Sequence, residues 1–261
     1  MGAAGTWRRH YGPQPWQFGD LHLGEALTRR RPIVVIHGGF WRPLRTLDMT
    51  NPAAADLARR GWVAWNVEYR RNGQGSWPAT LDDCSAAVDH LASLGDEFGF
   101  DVADPLVVGH SAGGHLAVWS AGRGAVAART GGPAPIVDAR DVVALAAVLD
   151  FERAAQDGTG ERAVAEFVGG EPAEFPDRYR DADPMCRLPT GGRVCCVHSR
   201  ADERVPFEQS VSYVAAARAG GDAAELIEVG GAHSDVIEVG TATWRTVVDV
   251  TESFEAVGGD D

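Results

Sequence analysis

Short apolar runs recur along the chain at Ile33 to Ile36, Trp62 to Val67, Leu106 to Val108, Val142 to Leu149, Val194 to Val197 and Ala224 to Val229. Most lack the polar alternation of a half-exposed strand, so they predict strands buried on both faces. Between most of them the period changes. After Pro78, Leu81, Cys84, Val88 and Leu91 return at helical spacing, with Thr80 and Asp83 reading as a capping box. Trp244, Val247, Val248, Thr251 and Phe254 do the same near the other end. Buried strands alternating with amphipathic helices predict an α/β chain with a mainly parallel central sheet and helices on both faces. In such a sheet the reactive groups gather at the carboxyl ends of the strands.

One segment breaks the alternation. From Phe151 to Gly192 the chain is rich in Pro, Gly, Asp and Arg, and only Ala163 to Val168 has a helical pattern. The expectation is a small cap insertion at residues 151–192 within a single domain spanning residues 1–261, ending in a frayed polar tail from Gly258 to Asp261.

Chemistry enters at GHSAGG, Gly109 to Gly114, between the run Leu106 to Val108 and a helical stretch starting near Leu116. A strand that turns at once into a helix leaves no room for side chains two residues either side of the turn. Gly109 and Gly113 occupy those places, which makes Ser111 the candidate nucleophile of a G-x-S-x-G elbow. A second cluster, His37, Gly38, Gly39, Phe40 and Trp41, follows the first of the apolar runs. Acyl transfer needs backbone N–H groups aimed at the oxyanion, and the amides of Gly39, Phe40 and Ala112 are the candidate oxyanion hole.

A serine hydroxyl is a weak nucleophile at neutral pH, so it needs a base, and the base needs a carboxylate to hold its tautomer. In elbow hydrolases these follow the serine in the order acid, then histidine. The later runs deliver His198 and Asp202 from one strand and His233 from the next. His198 ends its strand too early, which makes His233 the candidate base and Asp202 the candidate acid. Asp150 is the fallback acid, and Glu203 reads as a solvated neighbour. His110 and His115, flanking the elbow, read as structural hydrogen-bonding residues.

Composition narrows the alternatives. The net charge of −13 argues against nucleic-acid partners. All 24 basic residues are arginine, which excludes Schiff-base lysine chemistry and a P-loop lysine. No apolar run approaches the length of a membrane span, and the opening MGAAGTWRRHYG lacks the apolar core of a secretory signal. Cys84, Cys186, Cys195 and Cys196 have neither zinc-ligand spacing nor disulfide density, so reduced thiols in a cytoplasmic protein are expected, with Cys195 and Cys196 packing on opposite sides of a strand. No metal motif links the histidines, and no cofactor is expected. The partner is a small-molecule ester or amide, with no nucleic acid and no membrane; a homodimer is left open. Trp41, Phe167 and Tyr179 are the candidate substrate wall.

These residues resemble the α/β-hydrolase fold from about Tyr11 to Val257. More narrowly, HGGFW at His37 to Trp41 is similar to the HGGxW signature of kynurenine formamidases (arylformamidases) and related small carboxylesterases of the hormone-sensitive-lipase-like group. NVEYRR at Asn66 to Arg71, SWPATLDD at Ser76 to Asp83 and the opening YGPQPWQFGDLHL look like the same group. The resemblance implies a serine esterase or amidase with Ser111 as nucleophile, Asp202 as acid and His233 as base. It places the oxyanion hole near Gly39, Phe40 and Ala112. Two departures lie near the expected pocket: His198-Ser199 stands where the group often has His-Gly, and Ser234 where it often has an aromatic residue. Prolyl-oligopeptidase-type peptidases share the triad but add a propeller domain beyond a chain of this length. The alternatives are a small peptidase or lipase-like hydrolase, and a non-catalytic binding module on the same fold.

Overall fold

The computed structural model describes residues 4–75 and 77–255, so the expected tail from Gly258 to Asp261, and Ser76 in the SWPATLDD motif, lie outside the described residues. Among those described, an eight-stranded sheet runs β1-β2-β4-β3-β5-β6-β7-β8. The strands are β1 Gly5–His10, β2 Phe18–Leu23, β3 Ile33–Ile36, β4 Val63–Val67, β5 Leu106–His110, β6 Asp141–Leu145, β7 Arg193–Ser199 and β8 Ala223–Val229. All pairings from β4 to β8 are parallel, whereas β1 pairs antiparallel with β2, and β2 with β4. The β1–β2 hairpin is an addition to the predicted set. Its outer strand, GTWRRH, is half exposed and mostly polar, so it carries no buried-strand signal.

Alternate residues of the inner strands feed two cores. Ile33, Val35, Val108, Val143 and Cys195 face helix α1 (Asn51–Arg59) and helix α10 (Ala242–Ser253), whose Trp244, Val247 and Val248 are buried there. Val34, Ile36, Val107, Val142 and Cys196 face the other way, onto α2 (Ala79–Asp89), α3 (Leu91–Phe98), α4 (Ala112–Ala121) and α9 (Glu208–Ala219). Cys195 and Cys196 thus pack on opposite faces as free thiols, and burial raises both, Cys195 to about 12.

The expected capping box at α2 does not form. Asp83 is committed to Arg70, taking its backbone amide at 2.9 Å and its guanidinium at 2.6 Å and 2.8 Å, while Thr80 Oγ1 donates to the Arg70 carbonyl. The helical pattern through Leu91 covers two helices, α2 and α3, meeting at His90. The run to Leu149 is also too long for one strand: β6 ends at Leu145, where Ala146 turns at φ 46°, and the Leu149 and Asp150 amides donate to Gln209 Oε1.

Between β6 and β7 lie α6 (Phe151–Gln156), α7 (Thr159–Val168) and α8 (Pro176–Ala182), with α5 (Arg123–Thr130) preceding β6. This segment is more helical than its composition indicates. Residues Gly160, Glu161 and Arg162 interrupt α7 with positive φ, leaving the predicted Ala163 to Val168 as its regular part.

Candidate active site

Ser111 sits between β5 and α4 at φ 58° and ψ −122°, a conformation that costs a non-glycine residue about 1–3 kcal/mol. Its amide donates to the Leu145 carbonyl at 2.8 Å, and its carbonyl accepts from the Gly114 amide at 2.9 Å, which holds the bend from both sides. A side chain at Gly109 would overlap the Gly113 carbonyl, and one at Gly113 would overlap the carbonyls of Ile36 and His37. The glycine spacing therefore lets α4 pass directly over the ends of β3 and β5.

The loop after β3 approaches the same point. A Cβ on Gly38 would lie 2.8 Å from Ser111 Cβ, so only glycine allows this loop to cross the serine. Gly39 adopts φ 114°, and the Arg42 amide closes a turn onto the Gly39 carbonyl at 3.0 Å through Phe40 (φ 53°) and Trp41 (φ 55°). Among the described residues, the amides of Gly39, Phe40 and Ala112 donate no intramolecular hydrogen bond, which is what an oxyanion hole requires.

The strained turn is braced from beneath. His37 is sealed from solvent, with Nδ1 at 2.8 Å from the Gly38 carbonyl and Nε2 at 3.0 Å from Glu68 Oε1. The Tyr69 ring stacks on His37 with centroids 4.4 Å apart, and its hydroxyl donates to the His37 carbonyl. Burial alone pushes the Glu68 carboxyl up, but His37, Arg71 and the Tyr69 amide outweigh it and hold the group below the ordinary glutamate range. NVEYRR is thus the support of HGGFW.

Asp202 follows β7 and His233 follows β8. His233 Nδ1 lies 2.7 Å from Asp202 Oδ2. A carboxylate only accepts, so Nδ1 carries the proton and Nε2 of the neutral ring is the free acceptor. Asp202 Oδ1 takes the amides of Arg204 and Val205 at 2.8 Å and 2.9 Å. Burial raises the Asp202 carboxyl, and hydrogen bonds from His198, His233 and Val205 more than reverse this, so it lies well below the ordinary carboxylate range. Ser111, His233, Gly39 and Phe40 line one cavity of about 430 Å³, a size suited to a small molecule. Among the described residues, Ser111 and His233 make no direct hydrogen bond; such contacts often tighten only once substrate is bound.

Asp150, the fallback acid, is committed elsewhere: its carboxylate caps α6 by accepting the Arg153 amide at 2.9 Å. His110 and His115 are buried and donate from Nε2 to the carbonyls of His233 and Ala182 at 3.1 Å and 2.9 Å. Trp41, Phe167 and Tyr179 do not form the expected substrate wall. Trp41 stacks on Phe167 with centroids 4.6 Å apart, both are buried among His115 and Phe151, and the Tyr179 hydroxyl donates to the Gly170 carbonyl. None of the three lines the Ser111 cavity. The physical reason is the turn itself, since positive φ at Trp41 aims the indole under the helices between β6 and β7 while Phe40 faces the opening.

The BD-FAE family matches residues 20–216. The chain belongs to the BD-FAE family. Its curated relatives include the esterases LipC and LipQ of Mycobacterium tuberculosis. LipC is 28% identical across 80% of this chain and 54% of its own length. LipQ is 25% identical across 93% of this chain and 58% of its own. The chain therefore spans little more than half the length of these relatives. Among solved structures, a truncated carbohydrate esterase from gut microbiota superposes with a TM-score of 0.80 at 20% identity, over 97% of both chains. Esterase Est2 of Thermogutta terrifontis, with propionate bound, gives 0.76 at 22% identity, over 98% of this chain and 95% of that one. The chain has the α/β-hydrolase fold, with a mainly parallel sheet and helices on both faces.

In this BD-FAE chain two side chains that sequence position alone sets aside make contacts at the site. His198 Nε2 lies 3.2 Å from Asp202 Oδ2, alongside His233. Its position four residues before the acid, at a strand end, is the signal that marks it. Glu203, read as a solvated neighbour, accepts the His233 backbone amide at 3.2 Å. The Ser199 departure is also explained: its hydroxyl accepts the Ala201 amide at 3.0 Å and tightens the loop that carries Asp202.

Proposed function

We propose that the chain hydrolyses small carboxylic esters through an acyl-enzyme on Ser111, with His233 as base, Asp202 as its orienting acid and the Gly39, Phe40 and Ala112 amides as the oxyanion hole. The observation that carries this reading is the 2.7 Å contact from His233 Nδ1 to Asp202 Oδ2, which leaves Nε2 as the acceptor on a ring that lines one cavity with Ser111. Nε2 takes the hydroxyl proton as Oγ attacks the ester carbonyl. The resulting oxyanion meets three amides that have no other partner, each worth on the order of 3 kcal/mol to the transition state. His233 then gives its proton to the leaving alkoxide, and the same sequence with water as nucleophile releases the acid and restores Ser111.

The names of the relatives favour an ester over an aryl formamide. The smaller cavity adjoins a polar groove of about 1000 Å³ that shares Phe40, Arg42, Glu203 and Arg204 with it, which gives a leaving group room to extend. p-Nitrophenyl acetate turnover by the parent chain, lost by at least about 10³-fold in Ser111→Ala, is the expected result. Equal rates would identify a non-catalytic binding module instead. N-formylkynurenine in the same assay separates an arylformamidase from an esterase.

A further inference from the structure

Asp202 serves two imidazoles. His198 reaches the same oxygen as His233, and its environment specifies which of its nitrogens does so. Nε2 lies 3.1 Å from the Val205 carbonyl as well as 3.2 Å from Asp202 Oδ2. A carbonyl only accepts, so Nε2 carries the proton; Nδ1 of the neutral ring then accepts from the Ser210 hydroxyl, 2.8 Å away on α9. The His198 side chain is 0% exposed, and the Phe207 ring packs beside it at 5.6 Å.

We propose that His198 is a positioning residue for the proposed hydrolysis: it holds Asp202 Oδ2 where His233 Nδ1 meets it and takes up part of that oxygen's charge. The inference rests on the reading of Asp202 and His233 as acid and base. Oδ1 is fixed by the two loop amides, but among the described residues Oδ2 has only the two imidazoles. Without His198, Oδ2 is held by His233 alone, and its charge falls more fully on the His233 ring. The other ionisable groups facing this chain of contacts are Cys196 on β7, Glu203 and Arg204 on the acid loop, and His110, whose ring lies 4.7 Å from that of His233.

Three variants of the full chain test this. H198F fills the space without a donor, H198Q keeps an N–H near the Nε2 position, and S210A removes the hydroxyl that sets the tautomer. With p-nitrophenyl acetate, H198F is expected to lose about tenfold in kcat with KM within about twofold, while H198Q stays within about threefold of the parent, the loss of one charge-assisted hydrogen bond. The His233 ring titration, followed by NMR, is expected to move to higher pH in H198F, to move less in S210A, and to stay in place in H198Q. Equal losses in H198F and H198Q with that titration unmoved would show a mere space-filler and overturn the proposal. An unchanged H198F would do the same. Should H198F not fold, S210A decides by whether the His233 titration moves. The NMR readout is independent of turnover, so a parent chain no more active than Ser111→Ala sinks the proposed hydrolysis while leaving the role of His198 to be decided by the titration.

Discussion

Glu68 Oε1 lies 3.0 Å from His37 Nε2, with the two side chains 1% and 0% exposed. Glu68 Oε2 also takes the Leu47 amide, and Oε1 the Tyr69 amide and the Arg71 guanidinium. The loop that offers its amides to the Ser111 cavity is therefore mounted on a buried carboxylate. Glu68→Gln leaves Arg71 and His37 without their counter-charge, which costs on the order of 3 kcal/mol. Urea unfolding at neutral pH is expected to show that loss, with ester turnover falling about tenfold as the loop loosens. The Glu68 contribution is present above the unfolded glutamate range and is lost as pH falls through its lowered native value.

Gly39→Ala tests the loop from above. At φ 114° an added Cβ is strained, and it would lie 2.5 Å from Arg45 Cβ. The displaced amide is expected to lower kcat about 10²-fold with a smaller change in KM. A variant with parental kcat would remove Gly39 from the proposed hole.

The Arg42 guanidinium reaches across to Glu166 on α7, at 2.8 Å and 3.0 Å, and to the Gly160 carbonyl at 3.1 Å. Both side chains are substantially exposed, so the pair contributes at most about 1 kcal/mol to stability. Its effect is on placement, because it ties the loop after β3 to the segment between β6 and β7. Glu166→Gln is expected to leave the thermal midpoint within a few degrees and to raise KM severalfold, an effect that added salt reproduces in the parent.

Acid stability follows from two buried rings. Burial lowers His110 to about 3, reinforced by the neighbouring His233, and burial likewise lowers His115 to about 3. The unfolded rings bind protons near pH 6.5, so both favour the native state above that pH, and this is lost as pH falls from about 6.5 toward 3. Asp183 acts in the opposite sense. Burial raises it to about 7, so its contribution is present below the unfolded aspartate range and is lost as pH rises toward 7. Urea midpoints measured from pH 7 to pH 5 in the parent and in Asp183→Asn separate the two. The variant is expected to fall more steeply on acidification, and parallel curves would contradict the assignment.

Local signals carried most of the sheet. Ile33 to Ile36 is read to the residue, because a strand covered on both faces has no polar interruption to blur its ends. The β1–β2 hairpin was not legible: its pairing to β4 is a long-range contact, and Arg8 and Arg9 along β1 mask any apolar pattern. At the site, the structure brings His233 onto Asp202 and puts Ser111 on the same cavity, a meeting that chain order and the glycine spacing lead one to expect. Trp41, Phe167 and Tyr179 were misread because the turn at residues 39–42 decides which ring enters the cavity, and positive φ at two non-glycine residues has no sequence signature. His198 was set aside for ending its strand too early to be the base, and that same position is what brings it to Asp202.

The most direct test of the central claim is covalent. A fluorophosphonate ester incubated with the full chain, followed by peptide mapping, is expected to place one phosphonyl group on the peptide carrying Ser111. It is expected to place none in Ser111→Ala and to react at least about 10²-fold more slowly in His233→Ala. Labelling on another residue, or ester turnover by a chain whose Ser111 stays unmodified, would contradict the account.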